Sequence, residues 1–140
     1  LQIIGDGEDY TTLENMIKEK KLDNRIELIG KIDHDELRFY YSSCDLYISA
    51  STFEVCPVPT LEAMACGKPL VLSDIEPHKE MITASKAGKI FSKSNPEDIS
   101  LVVSEVFQDR HDLGISGRKF AESHDWSIIS KQMLDIFESF

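Results

Sequence analysis

An unbroken apolar run, Leu70-Val71-Leu72, directly follows Gly67-Lys68-Pro69. A strand with no polar face is buried on both sides, and in a domain of this size that means the interior of a parallel sheet covered by helices. Parallel strands need crossovers, so the rest of the chain must alternate strand and helix. It does. Leu1–Ile4 reads as a strand ending in the turn Gly5-Asp6-Gly7, and Tyr10–Lys20 as a helix with Leu13, Met16 and Ile17 on one face. Arg25–Ile29 is the next strand, stopped by Gly30. Asp33 with Glu36 spells a capping box for a helix whose apolar face is Leu37, Tyr40 and Tyr41. Leu46–Ala50 is a strand, Glu76–Thr83 a short helix and Gly88–Phe91 a last short strand. Ser94 or Asn95 as cap, with Pro96 at the first position, opens a helix to about Gln108 with Ile99, Val102, Val103, Val106 and Phe107 inward. Two more helices span about Asp112–Glu122 and Asp125–Phe140. The expected fold class is α/β, a Rossmann-like parallel sheet with helices on both faces.

In such a sheet ligands sit beyond the carboxyl ends of the strands. One loop there carries Glu54, and Glu62 follows with seven residues between. Pro57 and Pro59 interrupt the spacer. Proline suits the first turn of a helix, so the helix is expected to start near Pro59 and carry Glu62 in its early turns. Gly67 closes it and Pro69 prevents its continuation. Bare backbone N–H groups at the helix start, flanked by two carboxylates, would hold a polyhydroxylated, phosphorylated ligand. Read by spacing alone, the pair is also compatible with a dipole-favoured helix residue and a solvated loop residue.

The net charge is −10, which argues against nucleic acid or an anionic membrane as the main partner of this stretch. An anion site here must rest on local donors. No apolar run approaches the length of a membrane-spanning helix. The chain opens on a strand without an initiator Met, and is expected to be part of a longer chain. Cys44, Cys56 and Cys66 lack paired spacing and read as free thiols in a reducing cytoplasm. Asp33-His34-Asp35 spells a D-x-D, a metal-diphosphate pattern, but the helix cap explains it. His34, His78, His111 and His124 show no ligand spacing, so no metal is expected.

The pattern Ser51-Thr52-Phe53-Glu54, six residues, then Leu61-Glu62-Ala63-Met64-Ala65-Cys66-Gly67-Lys68-Pro69 resembles the signature of the family 4, or group 1, glycosyltransferases. The resemblance extends over Ile3–Gly7, Ile29-Gly30, Leu37, Tyr41, Cys44-Asp45, Glu80, Ala87-Gly88 and Trp126. It implies the C-terminal, donor-binding domain of a two-domain GT-B enzyme spanning residues 1–140, with the sheet's first strand, the basic diphosphate clamp and an N-terminal acceptor domain lying upstream. By that resemblance Glu54 contacts the donor sugar and is the catalytic candidate, and Glu62 holds the ribose diol. The spacer around Cys56, Pro57 and Val58 faces sugar and diphosphate, and Gly30, Lys31 and Ile32 flank the base. Pro57 departs from the glycine many members carry there and removes one amide from the cradle. The implied reaction is transfer of a sugar from a nucleotide sugar, UDP- or GDP-linked, with retention and without a metal or other cofactor, to a glycan or lipid. The implied location is cytoplasmic, with any peripheral membrane contact made by the upstream half. Two other readings within reach are a non-catalytic nucleotide-binding partner subunit and a GT-B sugar-nucleotide epimerase. A flavodoxin-like receiver would need an acidic pocket that Asp6 alone does not supply. The stripe Trp126, Ile129, Met133, Ile136 and Phe137 on the last helix is expected to be partly exposed in this chain.

Overall fold

The computed structural model describes all 140 residues. Strands and helices alternate as β1 (Gln2–Ile4), α1 (Tyr10–Glu19), β2 (Glu27–Gly30), α2 (His34–Ser43), β3 (Tyr47–Ser49), α3 (Val58–Ala65), β4 (Leu70–Ser73), α4 (Glu76–Ser85) and β5 (Gly88–Phe91). Three helices follow, α5 (Pro96–Gln108), α6 (Arg110–Glu122) and α7 (Trp126–Glu138). Every strand pairing is parallel, as this order requires. The chain forms two compact units, Leu1–Arg38 and Phe39–Phe140, with the boundary inside α2.

In the smaller unit β1 and β2 pair, and the turn after β1 is tied back by Gly5 N–H donating to the Gly30 carbonyl at 2.8 Å. Gly30 has φ +77°, a left-handed conformation that suits glycine at the end of β2. Leu13 and Ile17 of α1 are partly covered, while Met16 is exposed.

In the larger unit the strand order is β3-β4-β5, with β4 central. All four β4 residues are buried, which confirms the reading of Leu70–Leu72. Their alternation feeds two cores. Leu70 and Leu72 pack with Ala63 and Met64 of α3 and with Ala87, edged by Met81 and Ile82 of α4 and Phe120 of α6. Val71 packs with Phe91, Val102 and Val106, which places α5 on the opposite side, edged by Ile48, Ile99 and Leu113. Each such large aliphatic side chain contributes about 1.5–3 kcal/mol on burial.

Helix α6 approaches α3 closely because its contact positions are glycines. A Cβ on Gly114 would lie 2.3 Å from the Gly67 carbonyl oxygen, and one on Gly117 would lie 3.1 Å from Met64 Cγ. Arg118 then donates to the Ala65 carbonyl at 2.5 Å, satisfying an acceptor at the end of α3. Gly67, at φ +69°, ends that helix as its position after the last apolar residue predicts.

Two expectations on the helices come out differently. Helix α4 runs to Ser85, two residues beyond Thr83, and is closed by Lys86 in the left-handed conformation at φ 55°. Phe107, read as inward, is 42% exposed and carries the Arg110 guanidinium 4.2 Å from its ring centre. The α7 stripe is exposed as expected: Trp126 is 82% and Phe137 69% accessible, with Met133 and Ile136 also exposed and Ile129 partly covered. No helix is long and apolar enough to cross a membrane.

Candidate functional site

The loop that follows β3 and the first turns of α3 lie at the carboxyl edge of the three-stranded sheet. The loop is anchored from beneath. Ser73, the last residue of β4, donates through Oγ to the Ser51 carbonyl at 2.5 Å. That uses its proton, so the 3.0 Å contact between Ser73 Oγ and His78 Nδ1 needs His78 as donor. The Ser73 carbonyl, 3.2 Å from the same nitrogen, can only accept and agrees with that tautomer. His78 is fully buried, and its Nε2 has no hydrogen-bond partner. Ser51 also donates to the Phe53 carbonyl at 3.0 Å, shaping the turn into Glu54.

Helix α3 begins at Val58, with Pro57 in the cap position and a proline in its first turn. Pro57 has φ −78° and ψ 73°, and Val58 N–H donates to the Cys56 carbonyl at 2.9 Å. Those values define an inverse γ-turn. Thr60 and Leu61 N–H groups both point to the Pro57 carbonyl, at 2.9 and 3.4 Å. The row of bare N–H groups expected at this helix start is therefore much reduced. Pro57 and Pro59 have none, and those of Val58, Thr60 and Leu61 are paired internally. Glu54, Val55 and Cys56 keep theirs outside any internal bond, so the donors lie earlier in the spacer than the sequence suggests. Phe53 and Val55 flank this stretch with 79% and 83% exposure, Cys56 is exposed, and Pro57 is buried.

Both carboxylates are half-buried at this edge. Glu62 accepts a hydrogen bond at 3.0 Å from the hydroxyl of Tyr41, which lies on the last turn of α2. Burial, then the hydrogen bond and charge of Glu62, hold the Tyr41 phenol well above its ordinary pKa. The neighbouring Tyr47 of β3 lies with its ring centre 6.1 Å from that of Tyr41, at 57°. Burial raises the Tyr47 pKa as well, and the charges of Glu54 and Glu62 add to it. Tyr47 is thus within electrostatic reach of both carboxylates. Sequence reasoning treated Tyr41 as packing and did not single out Tyr47. The available signals were that each is an aromatic with a polar tip and that Tyr41 is one of the positions carrying the family resemblance.

Gly30, Lys31 and Ile32 lie in the smaller unit, at the carboxyl end of β2. Asp33-His34-Asp35 runs into the first turn of α2, where Glu36 N–H donates to the main-chain carbonyl of Asp33 at 2.9 Å and not to its side chain as a capping box would have it. Cys44, Cys56 and Cys66 are free thiols.

Comparison with known proteins gives the family. Residues 1–122 match the family described as glycosyl transferases group 1. An uncharacterised glycosyltransferase of Methanocaldococcus jannaschii is 28% identical over 89% of this chain and 36% of its own length. A phosphatidyl-myo-inositol mannosyltransferase of Propionibacterium freudenreichii is 28% identical over 80% of this chain and 30% of its own. The chain therefore spans about a third of the length of these relatives. Among solved structures, a sucrose-phosphate synthase from Thermosynechococcus elongatus superposes with a TM-score of 0.86 at 23% identity, over 99% of this chain and 38% of that one. An Anabaena protein solved with UDP-glucose superposes with a TM-score of 0.82 at 22% identity, over 99% and 40%. At such identities these two speak for the fold, which is the parallel α/β fold of the GT-B glycosyltransferases. With 122 of 140 residues inside the match, the chain belongs to the group 1 glycosyltransferase family.

Proposed function

We propose that this chain is the donor-binding part of a retaining glycosyltransferase that moves a sugar from a nucleotide sugar to a glycan or lipid acceptor. The observation that carries the reading is the placement of Glu54 on the loop after β3 and of Glu62 in α3, both half-buried at the carboxyl edge of the three-stranded sheet. Glu62, set by Tyr41, takes the ribose diol through charge-assisted hydrogen bonds, each worth roughly 1.5–3 kcal/mol. Glu54 lies on the loop anchored by Ser73 and meets the sugar hydroxyls. The amides of Val55 and Cys56 face the diphosphate, in place of the Val58 amide that closes the turn, and Pro57 shapes that turn. Orientation of the donor and stabilisation of the departing diphosphate lower the barrier, without a metal bridge. A UDP-linked donor is favoured, in keeping with the UDP and UDP-glucose held by the Anabaena protein of the same fold.

The acceptor side and the basic clamp on the diphosphate would come from sequence beyond this chain, in the two-domain arrangement of the family. The exposed face of α7, around Trp126 and Phe137, is the surface on which that remaining part would rest. Thermal-shift measurements on the full-length gene product with UDP, GDP, ADP and their sugars test the reading. A hundredfold excess of ligand over Kd stabilises by about 2.7 kcal/mol. Stabilisation by at least one nucleotide, lost in Glu62→Ala, is the expected outcome; no response to any of them would refute it.

A further inference from the structure

The β3–β4 ladder ends where Ser49 pairs with Leu72, and the chain runs on through the loop to Glu54. A loop leaving a sheet drifts unless something beyond the ladder holds it. Here the next residue of β4 does so with its side chain. Ser73 is fully buried, and its Oγ donates to the Ser51 carbonyl at 2.5 Å. Ser51 holds the turn on either side of itself: its hydroxyl donates to the Phe53 carbonyl at 3.0 Å and its amide to Ser49 Oγ at 3.4 Å. The path to Glu54 is thereby referred to the central strand. A serine hydroxyl rotates, however, and has one proton to give. His78, in the first turn of α4, decides where that proton goes. Its Nδ1–H meets Ser73 Oγ at 3.0 Å and the Ser73 carbonyl at 3.2 Å, and that carbonyl already accepts from the Ile75 amide at 2.9 Å. The ring is wholly buried and its Nε2 meets no partner in the protein, so the polar contacts of the ring all fall on Ser73. A buried imidazole that uses one nitrogen is costlier than an apolar side chain of its size. Packing alone does not call for it.

We infer that His78 is a positioning residue for the donor sugar: acting through Ser73, it sets the loop that carries Glu54. This rests on the reading of Glu54 given above. By donating to the Ser73 oxygen, His78 leaves the serine proton directed onto the Ser51 carbonyl. The relay then has one polarity, imidazole to hydroxyl to carbonyl, and hydrogen bonds aligned in this way strengthen one another. The relay ends on the loop and not on α3. Its loss therefore bears on the sugar met by Glu54 and leaves the ribose contact of Glu62 in place. A small displacement is enough, because contacts at a reacting sugar depend steeply on position.

The test uses the full-length gene product, whichever of UDP-, GDP- and ADP-glucose it binds best, and the matching diphosphate alone. Ser73→Ala removes the relay with little change in volume. It should weaken binding of the nucleotide sugar about 3- to 10-fold and leave the diphosphate within about twofold of wild type. His78→Leu should do the same, and Ser73→Ala decides alone if His78→Leu does not fold. His78→Asn, whose side-chain amide nitrogen stands where Nδ1 stood, should recover most of the loss. Glu54→Ala should weaken the nucleotide sugar at least as much as Ser73→Ala, and combining the two should change nothing further. A lower Tm with wild-type affinity for both ligands would make Ser73 and His78 packing residues and overturn the inference. Equal weakening of both ligands, equal losses in His78→Leu and His78→Asn, or a Ser73→Ala loss that adds to that of Glu54→Ala would overturn it too. Any of these beside a weakened Glu54→Ala spares the assignment of Glu54. Wild-type affinity for the nucleotide sugar in Glu54→Ala would remove both.

Discussion

Helices α3 and α5 both carry a proline in the first turn, and they begin in opposite ways. The start of α5 completes itself. Asn95 accepts from the Glu97 amide at 3.2 Å, Asp98 accepts from the Ser92 amide at 2.7 Å, and the acidic Glu97 and Asp98 face the positive end of the helix. The start of α3 has no side-chain cap and no acidic residue in its first turn. It closes with a backbone γ-turn instead, and its carboxylates are turned sideways: Glu62 to Tyr41, and Glu54 onto the preceding loop. A helix that caps itself has little left to offer a ligand. One that closes on its own backbone spends no side chain on its start.

That contrast can be broken at either helix. Glu54→Ala in the full-length gene product should lower turnover about 10²–10³-fold, the range for one lost contact to a developing charge, without lowering Tm. A parallel fall in Tm would make Glu54 a structural loop residue. Gly114→Ala attacks the bracing of α3 from behind, since the new methyl would meet the Gly67 carbonyl at 2.3 Å. It should cost about 1–3 kcal/mol in denaturant unfolding, and an unchanged midpoint would show that α6 can withdraw from α3 freely. Asn95→Ala removes the α5 cap and should cost about 1 kcal/mol while leaving nucleotide affinity alone. A loss of affinity there would erase the distinction between the two helix starts. The smallest effect belongs to Asp125, which caps α7 by accepting from the Ser127 amide and hydroxyl. Those bonds hold its pKa below the ordinary 3.8. A lowered folded pKa gives stability that is present above pH 3.8 and lost as the pH falls through the folded value. Asp125→Asn should flatten stability in that acid window, measured by urea midpoint against pH.

Much of the scaffold was legible because single residues set it. The unpolar run of β4, the helix stop at Gly67 and the Pro96 start of α5 each follow from local chemistry and stand where local chemistry puts them, while the choice of Asn95 over Ser94 as cap comes from the structure. The position of Glu54 and Glu62 around a helix start was legible for the same reason. The direction of the amides was not. Proline fixes φ at Pro57 but not ψ, and it is ψ that turns Val58 N–H onto Cys56. Nor could the Tyr41–Glu62 bond be read, because it depends on how the end of α2 meets α3 in space. The exposure of Phe107 went astray through periodicity: a helical stripe names a face, and its edge residues can lie at the surface beside a cation such as Arg110.

The central claim is that Glu62 at the start of α3 reads the nucleotide of a sugar donor. Titration calorimetry of the full-length gene product with UDP, and with GDP and ADP in parallel, tests it most directly against Glu62→Ala. The account predicts an affinity at least about tenfold weaker for every nucleotide that binds, since the ribose is common to all. Equal affinities in wild type and variant would contradict it.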